Sequence, residues 1–169
     1  RRRIRRTCLL VLAITLGLSF LTAPPNRIEI ESLEYPTGFQ STSVSGAFHV
    51  HTNRSDGSMS VEEIAAIAAD VGLSFVVFTD HGNGLEESDF PVYHSGVLCI
   101  DSTEISTDGG HYVAVDLPTT PYPLGGDVAG VVEDVERLGG FGVIAHPGSK
   151  KSTFRWDNWD LKFDGMEWF

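Results

Sequence analysis

The chain has 169 residues, 41% hydrophobic and 21% charged, which suits one folded domain with an appendage and excludes a disordered polymer. Its formal net charge is −11, and five of its twelve basic residues (Arg1, Arg2, Arg3, Arg5 and Arg6) crowd the N-terminus, leaving seven against 23 acidic residues elsewhere. A body that acidic repels a phosphate backbone, which argues against broad nucleic-acid binding but leaves room for a small phosphorylated substrate met by bound cations.

After the arginines, Cys8 to Ala23 are almost wholly apolar, and Pro24-Pro25 stop any helix. Residues 1–25 therefore fit a secretory signal or a membrane anchor. Leu21 is not small, so an A-x-A cleavage site is poor and an uncleaved anchor is favoured. Either way the arginines stay cytoplasmic, and the remainder is expected outside, in a periplasm or at a cell surface. Cys8 and Cys99 are not expected to pair. Residues 26–45, with Pro36, Gly38 and Ser41-Thr42-Ser43, form a linker with room for a short strand at Ile28 to Ile30.

The domain is expected over residues 46–169. Ala47 to His51 reads as a strand. Ser60 and Glu63 form a capping box that opens a helix, with Val61, Ile64, Ala68 and Val71 on one face and Gly72 at its end. Ser74 to Thr79 is a continuous apolar run suited to a strand buried on both faces. Val97 to Ile105 and Tyr112 to Leu117 are two more strands. Asp127 to Leu138 is a second amphipathic helix closed by Gly139-Gly140, Phe141 to Ala145 is a strand, and Gly165 to Phe169 begins another. Strand and helix in alternation predict a parallel α/β fold.

The chemistry-bearing residues gather at strand ends. His49 and His51, two apart on one strand, face the same way. Asp56 lies in a loop before Gly57, Asp80-His81 follow the second strand, Glu104 sits near the end of the third, and His146 follows another strand. Parallel barrels collect active sites at C-terminal strand ends. His111 is the exception, since it precedes its strand. Asp80 reads as either a ligand or an N-cap, and His94 as a residue of a polar loop. Trp156 and Trp159, at i and i+3 near Phe154, either line a pocket that stacks on a base or pack under a loop, and core packing is preferred.

Phe48-His49-Val50-His51-Thr52-Asn53-Arg54-Ser55-Asp56-Gly57 resembles the opening motif of the PHP (polymerase and histidinol phosphatase) domain family. Phe78-Thr79-Asp80-His81-Gly82-Asn83, Glu104, His111 and Ala145-His146-Pro147-Gly148 resemble its later motifs in order, and with the N-terminal segment they are similar to an exported, membrane-anchored branch. The resemblance implies a distorted (β/α)7 TIM-like barrel with two or three divalent ions, and the mixed imidazole and carboxylate ligands suit Zn, Mn or Fe. It assigns His49, His51 and Glu104 to one ion, Glu104, His111 and His146 to a second, and Asp56 and His81 to a third. It implies a phosphoesterase that cleaves phosphomonoesters or phosphodiesters with metal-activated hydroxide, with a nucleotide, sugar phosphate or short oligonucleotide as substrate. Arg54, Lys150 and Lys151 are candidate phosphate clamps. The family closes its site with a late Asp-x-His, and no histidine follows His146, so the barrel is expected to be incomplete at its C-terminus and the fragment poorly soluble and of low activity. The alternatives are a metal-dependent hydrolase of a non-phosphate bond and a non-catalytic metal-binding surface domain.

Overall fold

The computed structural model describes residues 43–89 and 91–168. The expected signal or anchor segment and nearly all of the expected linker lie outside the described residues. Among those described, no helix is long and apolar enough to cross a membrane.

The elements in chain order are β1 (Gly46–Val50), α1 (Val61–Asp70), β2 (Phe75–Phe78), β3 (Val92–His94), β4 (Val97–Thr107), β5 (Gly110–Val115), α2 (Val128–Leu138), β6 (Phe141–Ile144) and β7 (Gly165–Met166). Both helices start as their sequences dictate. The Ser60 hydroxyl accepts from the Glu63 amide while the Glu63 carboxylate accepts from the Ser60 amide. The Asp127 carboxylate accepts from the Gly130 amide, and Gly139 ends α2 in the left-handed region that a residue without Cβ enters freely.

The seven strands make one sheet in the order β1-β2-β4-β5-β6-β7, with β3 paired to the first half of β4. This sheet corrects the expectation of a parallel α/β fold built from regular βα units. β1, β2 and β4 are mutually parallel, β5 runs against both β4 and β6, and β6 is parallel to β7. The cause is local. Only Asp108 and Gly109 separate β4 from β5, and two residues can reverse a chain but cannot cross over to a parallel neighbour. Between β2 and β4 the chain forms the short antiparallel β3, an element not foreseen from the sequence, in which His94 is a strand residue paired with Val97. Between β6 and β7 there is no helix. The result is a mixed half-barrel with helices α1 and α2 among the described residues.

Each helix covers one half of the sheet. Ala65 and Ala68 of α1 pack with Val76, Phe78, Val97 and Cys99, and Val71, expected on the packed face, is exposed. Val128, Val131, Val132 and Val135 of α2 pack with Ile105, Tyr112, Ala114, Ile144 and Trp156. The residues that alternate with these, Val113 and Val143, form a separate cluster with Ala145 on the other face, the face that carries Glu104 opposite Val113. Trp156 is 1% exposed and stacks on Tyr112, whereas Trp159 is 53% exposed, so core packing holds for the first tryptophan and not the second.

Gly142 tests this packing. A Cβ there would sit 1.9 Å from the Tyr112 hydroxyl oxygen, and the buried ring, stacked on Trp156, has nowhere to move. Gly142→Ala is expected to destabilise the domain by about 1–3 kcal/mol, read as a lower urea midpoint at unchanged m-value.

Candidate metal centre

The site is built around Glu104, which is 1% exposed. Its register on β4 is fixed on both sides. The Glu104 amide donates to the Asp80 carbonyl, and its own carbonyl accepts from Gly82, which brings His81 alongside. On the other side Glu104 pairs with Val113 of β5, so His111, two residues earlier on the same face, lies diagonally beside it. Because β5 runs backwards, its first residues stand at the same rim as the last residues of the parallel strands. The apparent exception in the sequence, a histidine before its strand, is thereby removed.

Five imidazoles converge on this one carboxylate. Oε2 lies 3.3 Å from His49 Nε2, 3.1 Å from His51 Nε2 and 3.2 Å from His81 Nδ1. Oε1 lies 2.8 Å from His111 Nδ1 and 2.9 Å from His146 Nε2. Asp56, though 69% exposed, reaches in from its loop, with Oδ1 2.8 Å from His51 Nδ1 and Oδ2 3.8 Å from His81 Nε2. All seven residues taken from the sequence as candidate ligands are thus brought together.

The route by which His49 and His51 arrive differs from simple strand alternation. His49 has φ 65° and the β1–β2 register shifts between Ala47 and Val50, a bulge that re-aims the side chain. His51 lies beyond β1 and is held by its loop. Asp80 organises that loop. Its carboxylate accepts from the Thr52 amide at 2.7 Å, the Thr52 hydroxyl at 2.8 Å and the Ser55 hydroxyl at 2.6 Å. These bonds, with Arg54 at 3.2 Å, hold the Asp80 carboxyl below its ordinary range although burial opposes them. Asp80 is therefore neither a helix cap nor grouped with the candidate ligands; it is the bracket for them.

Arg54, a candidate phosphate clamp, is spoken for. Its guanidinium meets both Asp101 oxygens, at 2.6 and 3.3 Å, as well as Asp80 and Asp89. Lys150 is exposed. Lys151 places Nζ 3.5 Å from the centroid of Phe154, whose ring lies 4.5 Å from that of His111 and 5.7 Å from that of His146. Its ammonium is therefore within about 8 Å of the His111 ring.

Sequence reasoning missed Glu167. It follows β7, its Oε1 pairs with His49 Nδ1, and its Oε2 accepts from the His146 amide at 2.5 Å. An acidic residue directly after a short strand, as in Gly165-Met166-Glu167, was the available signal.

The donor set fits divalent cations. Three groups of His, Asp and Glu atoms lie close enough to share an ion: His49, His51 and Glu104; His51, Asp56 and His81; and His81, Glu104 and His111. His49 Nε2 and His51 Nε2 lie 3.0 Å apart, close enough for both to reach one ion.

No family model and no curated protein matches the chain. Solved structures do. One is a two-domain protein from Bacteroides vulgatus containing a predicted PHP-like metal-dependent phosphoesterase, at 22% identity and a TM-score of 0.50 over 64% of this chain. Another is a lesion-specific endonuclease from Pyrococcus furiosus, at 18% identity and 0.52 over 73%, and a third is endonuclease Q bound to a 27-mer duplex with an abasic lesion, at 17% and 0.51 over 73%. The chain shares their fold. It spans 36%, 41% and 42% of the lengths of those three chains, respectively.

Without metal, charge compensation falls to protons. Burial disfavours a charged His49, yet Glu104 and Glu167 together push its pKa up to about 9 from 6.5. Burial likewise opposes ionisation of Glu104 and Glu167, but His111 and His49 for the first, and His49 and the His146 amide for the second, hold both carboxyls below the ordinary 4.5. The raised His49 stabilises fully below pH 6.5 and loses its contribution as pH climbs through about 9; the depressed carboxylates stabilise above 4.5 and lose theirs on acidification. In chelator, the thermal midpoint is expected to fall on both sides of a plateau at about pH 4.5–6.5, and His49→Gln to flatten the alkaline arm. An alkaline arm of equal size in the variant would contradict the assignment.

Proposed function

We propose that the domain is a metal-dependent phosphoesterase. The observation that carries this reading is the Glu104 carboxylate buried among five imidazoles, with one oxygen toward His49, His51 and His81 and the other toward His111 and His146. Glu104 with these histidines and Asp56 would hold two or three divalent cations. Zn, Mn or Fe bound there would acidify a water and neutralise charge on a phosphoryl group. Fold likeness to structures described as phosphoesterase and endonuclease supports the same reaction class.

The chain's own residues do the positioning. Glu104 orients the rings around it, and Asp80 keeps the loop bearing His51 and Asp56 closed on the site. A cavity of about 240 Å3 beside His81 is lined by Asp80, Glu86, Glu87 and Asp101 with Arg54, whose guanidinium those aspartates already neutralise. That side repels a polyanion. Lys151, on the His111 and His146 side, retains ammonium donors while its charge rests over Phe154, so the phosphate is assigned to approach there. A substrate with few phosphates, such as a nucleotide, a sugar phosphate or the end of a short oligonucleotide, suits this lopsided field better than a long duplex. We place the domain outside the cytoplasm because of the N-terminal arginines and the apolar run from Cys8 to Ala23.

The test is turnover of p-nitrophenyl phosphate, its bis ester and a short oligonucleotide with added Mn or Zn. His51→Ala is expected to lower kcat/KM by about 100-fold or more, beyond what loss of an outer-shell partner costs. Lys151→Ala is expected to raise KM severalfold with kcat little changed, as for loss of binding shared by ground and transition states. Metal binding without turnover of any ester would favour a non-catalytic domain; hydrolysis of an amide or lactone alone would favour the non-phosphate hydrolase.

A further inference from the structure

His49 and His146 are the two candidate ligands with left-handed backbone, at φ 65° and 29°. They come from β1, at one end of the sheet order, and from the second residue after β6, near the other. Both are held by the same side chain. Glu167 Oε1 takes His49 Nδ1 and Glu167 Oε2 takes the His146 amide, while the Glu167 amide donates to the Ile144 carbonyl at 3.0 Å and fixes the carboxylate's own position. The side chain is buried to 9% exposure. With Nδ1 engaged, His49 is left with Nε2, the atom that faces Glu104 and His51.

From this arrangement we infer that Glu167 is a positioning residue of the metal centre, which fixes the ring orientation and tautomer of His49 so that Nε2 is presented to the cation. The inference rests on the metal-dependent reading above. A carboxylate on the far nitrogen of a ligating imidazole locks the Nδ1–H tautomer and makes Nε2 a better donor. Glu167 also braces the strained backbone of His146, an independent reason for a buried acid at this position. It is not itself grouped with the candidate ligands.

The test is a titration of the whole chain with Zn and with Co by calorimetry and cobalt absorption, on wild type, Glu167→Ala, Glu167→Gln, His49→Gln and the His49→Gln/Glu167→Ala double variant. Thermal midpoints of the metal-free proteins are recorded alongside. Glu167→Ala is expected to weaken the affected ion about 10- to 100-fold, the range for outer-shell partners of ligating histidines. Glu167→Gln keeps one carbonyl acceptor and should lie between wild type and the alanine variant. If Glu167 acts chiefly through His49, removing it costs much less metal affinity once His49 is gone than in the wild type, the remainder being its hold on His146. Nitrogen-15 histidine spectra of the loaded protein should show His49 protonated at Nδ1 in wild type and a mixture of tautomers in Glu167→Ala. Unchanged affinity in Glu167→Ala, or a full additional loss in the double variant, overturns the proposal and leaves the functional reading standing. A wild-type chain that binds neither metal overturns both.

Discussion

A carboxylate buried to 1% exposure cannot stand alone, because removing an ion from water costs several kcal/mol unless other charges and hydrogen bonds offset it. Glu104 meets this constraint with imidazoles, and imidazoles answer in two ways. Protonated, they neutralise the carboxylate directly, and, although burial opposes both, Glu104 correspondingly pushes His49 up while His111 and His49 hold Glu104 down. Neutral, they and the carboxylate together form a donor set whose charge a divalent cation balances. The two solutions exclude each other at each nitrogen, so a cation bound here would displace protons. An apolar residue at position 104 would remove the constraint and the site together.

The rest of the architecture serves to bring nitrogen atoms to that oxygen pair. The two-residue turn that reverses β5 delivers His111 to the rim. The bulge in β1 and the left-handed conformations of His49 and His146 deliver two more, at a cost of about 1–3 kcal/mol for each non-glycine residue held in that region. Such conformations persist only where surroundings over-determine them. Here the over-determining bonds are visible, since Glu167 holds both residues and Asp80 holds the next loop with four contacts.

Much of this was legible in the sequence because the signals were local. The capping box at Ser60 and Glu63, the glycine after Leu138 and the apolar run from Phe75 to Phe78 each specify a neighbouring conformation, and each element formed within a residue or two of its expected bounds. The ordered His and Glu motifs marked seven residues that the fold brings together. What was not legible depended on partners distant in sequence. The direction of β5 follows from the length of one turn, which periodicity does not weigh. Arg54 looks like a free cation until Asp80 and Asp101, 26 and 47 positions away, are folded against it. Glu167 sits 118 positions from the imidazole it holds, so its place after a short strand marks the residue while its partner stays hidden.

The same contact joins local chemistry to global shape. β1 and β7 stand at opposite ends of the strand order, so the hydrogen bond between His49 and Glu167 links the two ends of the curled sheet through side chains. The curl and the centre therefore depend on each other. A flatter sheet would withdraw His49 from both Glu104 and Glu167. Binding energy gained by a cation at this cluster would then be expressed partly as closure of the half-barrel, since an ion that binds only the assembled ligands stabilises whatever conformation assembles them. On this reasoning the histidines and Glu104 belong to the fold's closure as well as to the candidate site, while the hydrophobic clusters under α1 and α2 contain none of them.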